Sequence, residues 1–167
     1  MFCFFFQYQT FSLFLSFPNF LFIHIRKKGK FVEAVQSKDR GWIDGGAKST
    51  RKELLRAMLM TACDLSAICK PWRIQKRVAE MVASEFFEQG DMERDLLQTP
   101  MAMMDRSQKK NLPKMQVGFI DHICLPLYQL LCDFWPALKP FYSGCLDNRQ
   151  KWEKLAEESD NDEISNV

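Results

Sequence analysis

An all-helical fold is predicted, and three observations carry it. Apolar residues recur at helical spacing in every periodic segment from Leu54 onward. No stretch keeps a period-two alternation, and no internal repeat is visible. Gly90 and Pro71, Pro100, Pro113, Pro136 and Pro140 stand between these runs, where helices start and stop. With 167 residues the chain suits one ordinary domain or a piece of a larger one, which rules out a multidomain enzyme.

The elements follow in order. Residues 1–25 are Phe-rich and almost uncharged, and Arg26, Lys27, Lys28 and Lys30 come directly after them. Two readings stay open: a membrane segment with the remainder facing the cytosol, or translated T-rich non-coding sequence from a gene-model error. A classical signal peptide is not expected, because a basic start and a cleavage motif are missing. A short amphipathic piece, Phe31 to Val35, leads into a Gly-containing loop. Thr50 and Glu53 then make a capping box for a helix over 51–68, with Leu54, Leu55, Met58, Leu59, Ala62, Leu65 and Ile68 on its apolar side. Pro71 opens a second helix whose apolar face is Ile74, Val78, Met81, Val82 and Phe86, and Gly90 is its expected C-terminal cap. A short helix, Asp91 to Leu97, a Met-rich loop and a polar linker, Asp105 to Asn111, precede Pro113. Met115, Phe119, Ile123, Leu127, Leu130, Leu131 and Phe134 mark a long buried helix bent at Pro126. The last helix covers Tyr142 to Glu158, with Leu146, Trp152 and Leu155 inward, and 157–167 is read as an acidic disordered tail.

Composition narrows the function. Lys and Arg total 23 against 21 Asp and Glu, too even a balance for a surface that neutralises phosphates, so nucleic acid is not the expected partner. The six cysteines form no CxxC pair. Cys63, Cys69, Cys124 and Cys132 lie in apolar stretches and read as buried free thiols, which favours the cytosol. Two histidines, His24 and His122, cannot build a His-rich metal centre.

Asp64 is the first residue that stands out, a carboxylate in the small and apolar stretch MTACDLSAI. If buried, it must be paired, hydrogen-bonded or on a metal; an ordinary surface or cap aspartate is the bland alternative. Gln116 and Phe119 form a second pair, an amide three residues before a ring on one helix face. The amide can read a purine edge as donor and acceptor while the ring stacks on the base, although a helix-start glutamine and a core phenylalanine fit the spacing equally. His122 receives no catalytic role.

The segments TACDLSAICKPW (61–72), VASEFFEQGDMER (82–94) and QVGFID (116–121), in that order, resemble the catalytic domain of 3',5'-cyclic nucleotide phosphodiesterases, nearest the cGMP-specific and photoreceptor branch. The resemblance runs from about Lys28 through Lys154. It implies the C-terminal helices of a multi-helix domain, incomplete here, with 26–156 as the partial catalytic domain. It assigns Asp64 to the metal site, Gln116 to the purine amide, and Phe119 and Val82 to the two faces of the base. Gln75, Ala67 and Trp152 correspond to the neighbours that orient the amide, an arrangement the family links to guanine. Leu65, Val78, Ala79, Phe86 and Met115 correspond to pocket lining.

The same resemblance implies zinc and magnesium held by two histidines and an aspartate, with a catalytic histidine, all upstream of the matching region. This chain has no His-Asp dipeptide, and one carboxylate does not hold zinc tightly. The expected reading is therefore the purine-binding part of a hydrolase that cleaves the 3' phosphoester with a metal-bound hydroxide, with no catalytic residue of its own and inactive alone. Cyclic GMP is the expected ligand and cyclic AMP the second candidate. A homodimer, or pairing with a full-length phosphodiesterase as a non-catalytic helical module, is the alternative role. The cytoplasm is the expected location; membrane association depends on residues 1–25.

Overall fold

A computed structural model describes residues 48–165, and every regular element among them is helical. The chain divides into two units, 1–65 and 66–167. The leader and the Phe31 to Val35 piece lie outside the described residues.

In the first unit, helix α1 spans Lys48–Asp64. It begins two residues before Thr50, so Thr50 lies inside the first turn and is not its cap. The helix also ends four residues short of the expected 68. Leu65 is a turn residue and Ser66–Cys69 tighten into a 3-10 helix, so the α-helical ladder stops at Asp64. Near the end Thr61 Oγ1 donates to Ala57 O at 2.8 Å. Met58, Thr61 and Ala62 are buried, whereas Cys63, expected as a buried thiol, is exposed.

The second unit opens with a 3-10 turn, Ser66–Cys69, and helix α2, Trp72–Asp95. Pro71 is the N-cap of α2, its carbonyl accepting from the backbone N–H groups of Ile74 and Gln75. The buried face is Gln75, Ala79, Ala83, Phe87 and Gly90. It sits one residue round from the expected stripe, and Ile74 and Met81 of that stripe are exposed. Small alanines and a glutamine carry little hydropathy, so a pattern read from large apolar side chains points to the wrong side. Gly90 is no cap: α2 runs through it, and a Cβ there would overlap the Met104 carbonyl. The helix ends in a Schellman motif, with Leu97 N–H donating to Arg94 O and Gln98 N–H to Glu93 O, both at 2.9 Å. Leu97 occupies the left-handed position at φ 59° where glycine is usual.

The Met-rich loop and polar linker are also helical, as 3-10 turns Ala102–Met104 and Arg106–Asn111. Asp105 caps the second, its Oδ1 accepting from Ser107 N–H at 2.8 Å. Its hydrogen bonds from Ser107 and Arg94 hold the carboxyl down to about 2. The expected long helix is three pieces: α3 (Leu112–Phe119), a π-helical turn (Ile120–Cys124) and α4 (Leu125–Phe134). Pro126 has no N–H for the His122 carbonyl, and the wide turn absorbs that break, with Leu125 N–H reaching back to Ile120 O. The buried side chains of α4 are Leu127, Tyr128, Leu130 and Leu131.

A 3-10 turn, Pro136–Leu138, leads to α5, Lys139–Ser165, against which the Ser66–Cys69 turn, α3 and α4 pack. Residues 157–165, expected to be disordered, continue α5. Lys114 Nζ on α3 meets Asp160 Oδ1 at 2.6 Å, and Ser159 Oγ donates to Leu155 O at 2.9 Å, so the acidic end has partners.

Candidate functional site

One face of α5 holds the start of the second unit. Gly144, Asn148 and Trp152 are spaced four residues apart and therefore stack along one side of the helix. At Gly144 the backbones approach so closely that a Cβ would lie 2.5 Å from Cys69 O. Asn148 is fully buried, and its Nδ2 donates to Ile68 O at 2.7 Å and to Lys70 O at 2.8 Å. Both carbonyls belong to the turn that carries Ala67. One turn further on, Trp152 Nε1–H donates to Gln75 Oε1 at 2.9 Å. Trp72 meets the Trp152 ring edge-on with centroids 5.0 Å apart.

Three of the residues expected at a purine site, Ala67, Gln75 and Trp152, thus stand in one connected structure. The Trp152–Gln75 bond also fixes an orientation. An indole N–H only donates, so the Gln75 oxygen must face Trp152 and its Nε2 must face away. Nε2 has no hydrogen-bond partner among the described residues.

Gln116 and Phe119 lie on α3, both half-buried. The Gln116 amide makes no side-chain hydrogen bond among the described residues, and Phe119 meets no other ring there. Val78, Val82 and Phe86 are half-buried along α2, Ala79 is buried, and Met115 is half-buried beside Gln116. A cleft of about 640 Å³ lined by Lys76, Phe87, Lys109, Lys110, Trp152 and Leu155 takes in only Trp152 from this set. Asn148 was not singled out from the sequence; its signal is a polar residue four positions from Trp152 on an otherwise inward face.

Asp64 and Leu65 close the first unit, both half-buried. Burial raises the Asp64 carboxyl above its ordinary value, and no hydrogen bond or ion pair offsets it among the described residues. No three His, Cys, Asp or Glu side chains converge on a metal position among those residues. The described residues therefore do not fit a tightly held metal pair, for which Asp64 supplies one oxygen ligand at most.

The π-turn is held to α5 by charge. Arg149 Nε donates to Asp121 Oδ1 at 2.5 Å and its Nη2 to Asp121 Oδ2 at 3.0 Å, while Nη1 reaches Glu153 at 2.9 Å. His122 is exposed and folds back along its own helix, with Nδ1 2.8 Å from Gly118 O.

Comparison with known proteins gives this arrangement its context. The family described as 3'5'-cyclic nucleotide phosphodiesterase matches residues 21–145. A cGMP-specific 3',5'-cyclic phosphodiesterase of Drosophila virilis is 53% identical over 138 residues, 82% of this chain and 15% of that protein. Proteins of the same description from Drosophila mojavensis and Drosophila melanogaster are 53% and 52% identical over the same length, again 82% of this chain but 12% of theirs. The chain therefore spans only 12–15% of the length of these curated relatives. A match across three quarters of the sequence, joined to identity above half, makes the chain a member of the 3',5'-cyclic nucleotide phosphodiesterase family.

Proposed function

We infer that this chain supplies the nucleobase-binding part of a cyclic nucleotide phosphodiesterase that hydrolyses the 3' phosphoester and prefers cyclic GMP. The observation that carries the reading is the hydrogen bond from Trp152 Nε1–H to Gln75 Oε1. With its oxygen engaged, Gln75 offers a neighbour only the N–H groups of Nε2. A second amide meeting that nitrogen must present oxygen to it. If Gln116 does so when a purine is bound, its own Nε2 is left to donate to the base.

Guanine carries an oxygen at the six-position and an N–H beside it. The first accepts from Gln116 Nε2, and the second donates to the remaining lone pair of Gln116 Oε1. Adenine would bring an amino group against an amide N–H, donor against donor. Phe119 and Val82 cover the two faces of the base, a contribution indifferent to which purine is bound. Met115, Val78, Ala79 and Phe86 exclude water around the ring. Asp64 contributes one metal oxygen in a complete domain, and the zinc and magnesium pair rests on residues beyond those described. Five free thiols among the described residues support a reducing, cytoplasmic setting.

The test is calorimetric titration of cyclic GMP and cyclic AMP into the full chain. Each buried polar group left unpaired costs about 1–3 kcal/mol, so cyclic GMP is expected to bind tighter by about one to two decades. Gln116→Ala should weaken cyclic GMP far more than cyclic AMP, and Phe119→Ala should weaken both. Equal affinity of the unmutated chain for the two nucleotides would refute the guanine assignment.

A further inference from the structure

Helix α5 holds the orienting residues through two side chains: Asn148 fastens the turn that carries Ala67, and Trp152 fastens Gln75. Arg149, next to Asn148, has no place in the nucleotide reading and reaches the π-turn instead. Its Nε donates to Asp121 Oδ1 at 2.5 Å and its Nη2 to Asp121 Oδ2 at 3.0 Å. A guanidinium that meets both oxygens of one carboxylate fixes direction as well as distance. The two side chains are 25% and 33% exposed, so water screens them less than a surface pair. Lys114 and Asp160 also join α3 to α5, but as a point contact between side chains that are half exposed.

The grip falls where the helical register is decided. Asp121 stands two residues after Phe119 and five after Gln116. Leu125 N–H bonds to Ile120 O, five residues back, so the π-turn spends one residue more than an α-helix would. Each residue advances a helix by about 100°, so absorbing the extra residue would rotate α3 by about that angle relative to α4. We propose that Arg149 is a positioning residue of the purine site: by gripping Asp121 it pins the register of the π-turn, and so sets the side of α3 on which Gln116 and Phe119 stand relative to Gln75 and Trp152. This role rests on the reading of Gln116 and Phe119 as base-contacting residues.

The two base-contacting side chains depend on their backbone for direction, since the Gln116 amide makes no side-chain hydrogen bond and Phe119 meets no other ring among the described residues. Rotation affects them unequally. An amide that exchanges two hydrogen bonds with guanine needs both directions right, whereas stacking tolerates a shift of the ring. Loosening the π-turn therefore costs cyclic GMP more than cyclic AMP. A clamp that served stability alone would leave their ratio unchanged. Lysine at position 149 keeps the charge but loses the planar fork, so it does not restore the direction.

The experiment compares the full chain with Asp121→Asn, Arg149→Lys and Lys114→Ala, titrating each with cyclic GMP and cyclic AMP and following amide hydrogen exchange without nucleotide. Asp121→Asn and Arg149→Lys should each weaken cyclic GMP by about tenfold, the loss of one charge-assisted hydrogen bond, and narrow its advantage over cyclic AMP. Exchange should quicken in peptides covering 116–125, Leu125 included, and stay unchanged in those of α2. Lys114→Ala should leave both affinities as they are. An unchanged ratio of affinities in Asp121→Asn and Arg149→Lys, or exchange that quickens equally in α2, overturns the proposal. Binding of neither nucleotide by the unmutated chain overturns the nucleobase reading and the purine role of Arg149 with it, while unchanged exchange at 116–125 refutes the register pin by itself.

Discussion

Two glutamines separate two regions of the second unit. Gln75 on α2 is 2% exposed, and its oxygen is committed to Trp152. Gln116 on α3 is half-buried with an amide engaged by no other described side chain. Around Gln75 the fold uses polar groups as fasteners: Asn148 takes two carbonyls of the turn, and Trp152 closes over the helix start. Around Gln116 the polar group is left open. A buried amide with a fixed partner cannot adapt to a ligand, while an open one can; the contrast agrees with the proposed roles of Gln75 in orientation and Gln116 in reading the base.

The sharpest way to break this contrast is to remove the fastener. Trp152→Ala deletes a side chain that is 1% exposed and leaves the Gln75 oxygen without its donor. A loss of about 3–5 kcal/mol is expected, as for other large aromatic truncations in cores. Trp152→Phe keeps most of the volume and isolates the hydrogen bond, with an expected loss of about 1–3 kcal/mol. Gln116→Ala should change stability by no more than about 0.5 kcal/mol. Urea unfolding followed by circular dichroism measures all three. A Gln116→Ala loss equal to that of Trp152→Phe would mean that Gln116 is a fastener too.

Asn148→Ala probes the same region one turn away, with a smaller effect. It strips the Ile68 and Lys70 carbonyls of their shared donor in a position that is 1% exposed. About 1–3 kcal/mol should be lost. Amide hydrogen exchange adds a local readout, with faster exchange at Lys70, whose N–H donates to Ala67 O at 3.2 Å. An unchanged urea midpoint would show that the turn is held by packing at Gly144 alone.

How much of this was legible in the sequence depends on what kind of residue carried it. Helices α1, α2, α4 and α5 were readable because large apolar residues repeat along them. The inward side of α2 was not, because Gln75, Ala79, Ala83 and Gly90 bury through small size or a hydrogen bond, and neither property enters a hydrophobic pattern. Gly90 read as a stop signal; its role is to admit the Met104 carbonyl, a contact between positions fourteen residues apart. Leu97 ends the helix in a conformation that its side chain disfavours, so no local rule points to it. The π-turn follows from Pro126, but proline alone says that the ladder breaks and not how it is repaired. Gln116, Phe119 and Asp64 stood out as chemically odd residues, whereas Asn148 needed the turn beside it to become meaningful.

Asp64 extends the comparison to the first unit and carries the smallest expected effect. Like Gln116 it is a polar group without a partner among the described residues, but it is charged, and burial raises its pKa above 3.8. The sign follows from linkage. A carboxyl that is harder to ionise in the folded state adds stability below 3.8, and loses that contribution as pH rises through the higher folded value. At neutral pH the ionised form is therefore a small net cost. Asp64→Asn keeps the shape and removes the charge, so it should raise the neutral-pH urea midpoint slightly. The difference between the two proteins should shrink, or change sign, toward acid pH. Because the group is substantially exposed, solvent screening keeps the gain small. The outcome that counts against this account is Asp64→Asn destabilising the protein at neutral pH, which would mean that the carboxylate has an attractive partner and is not an open position.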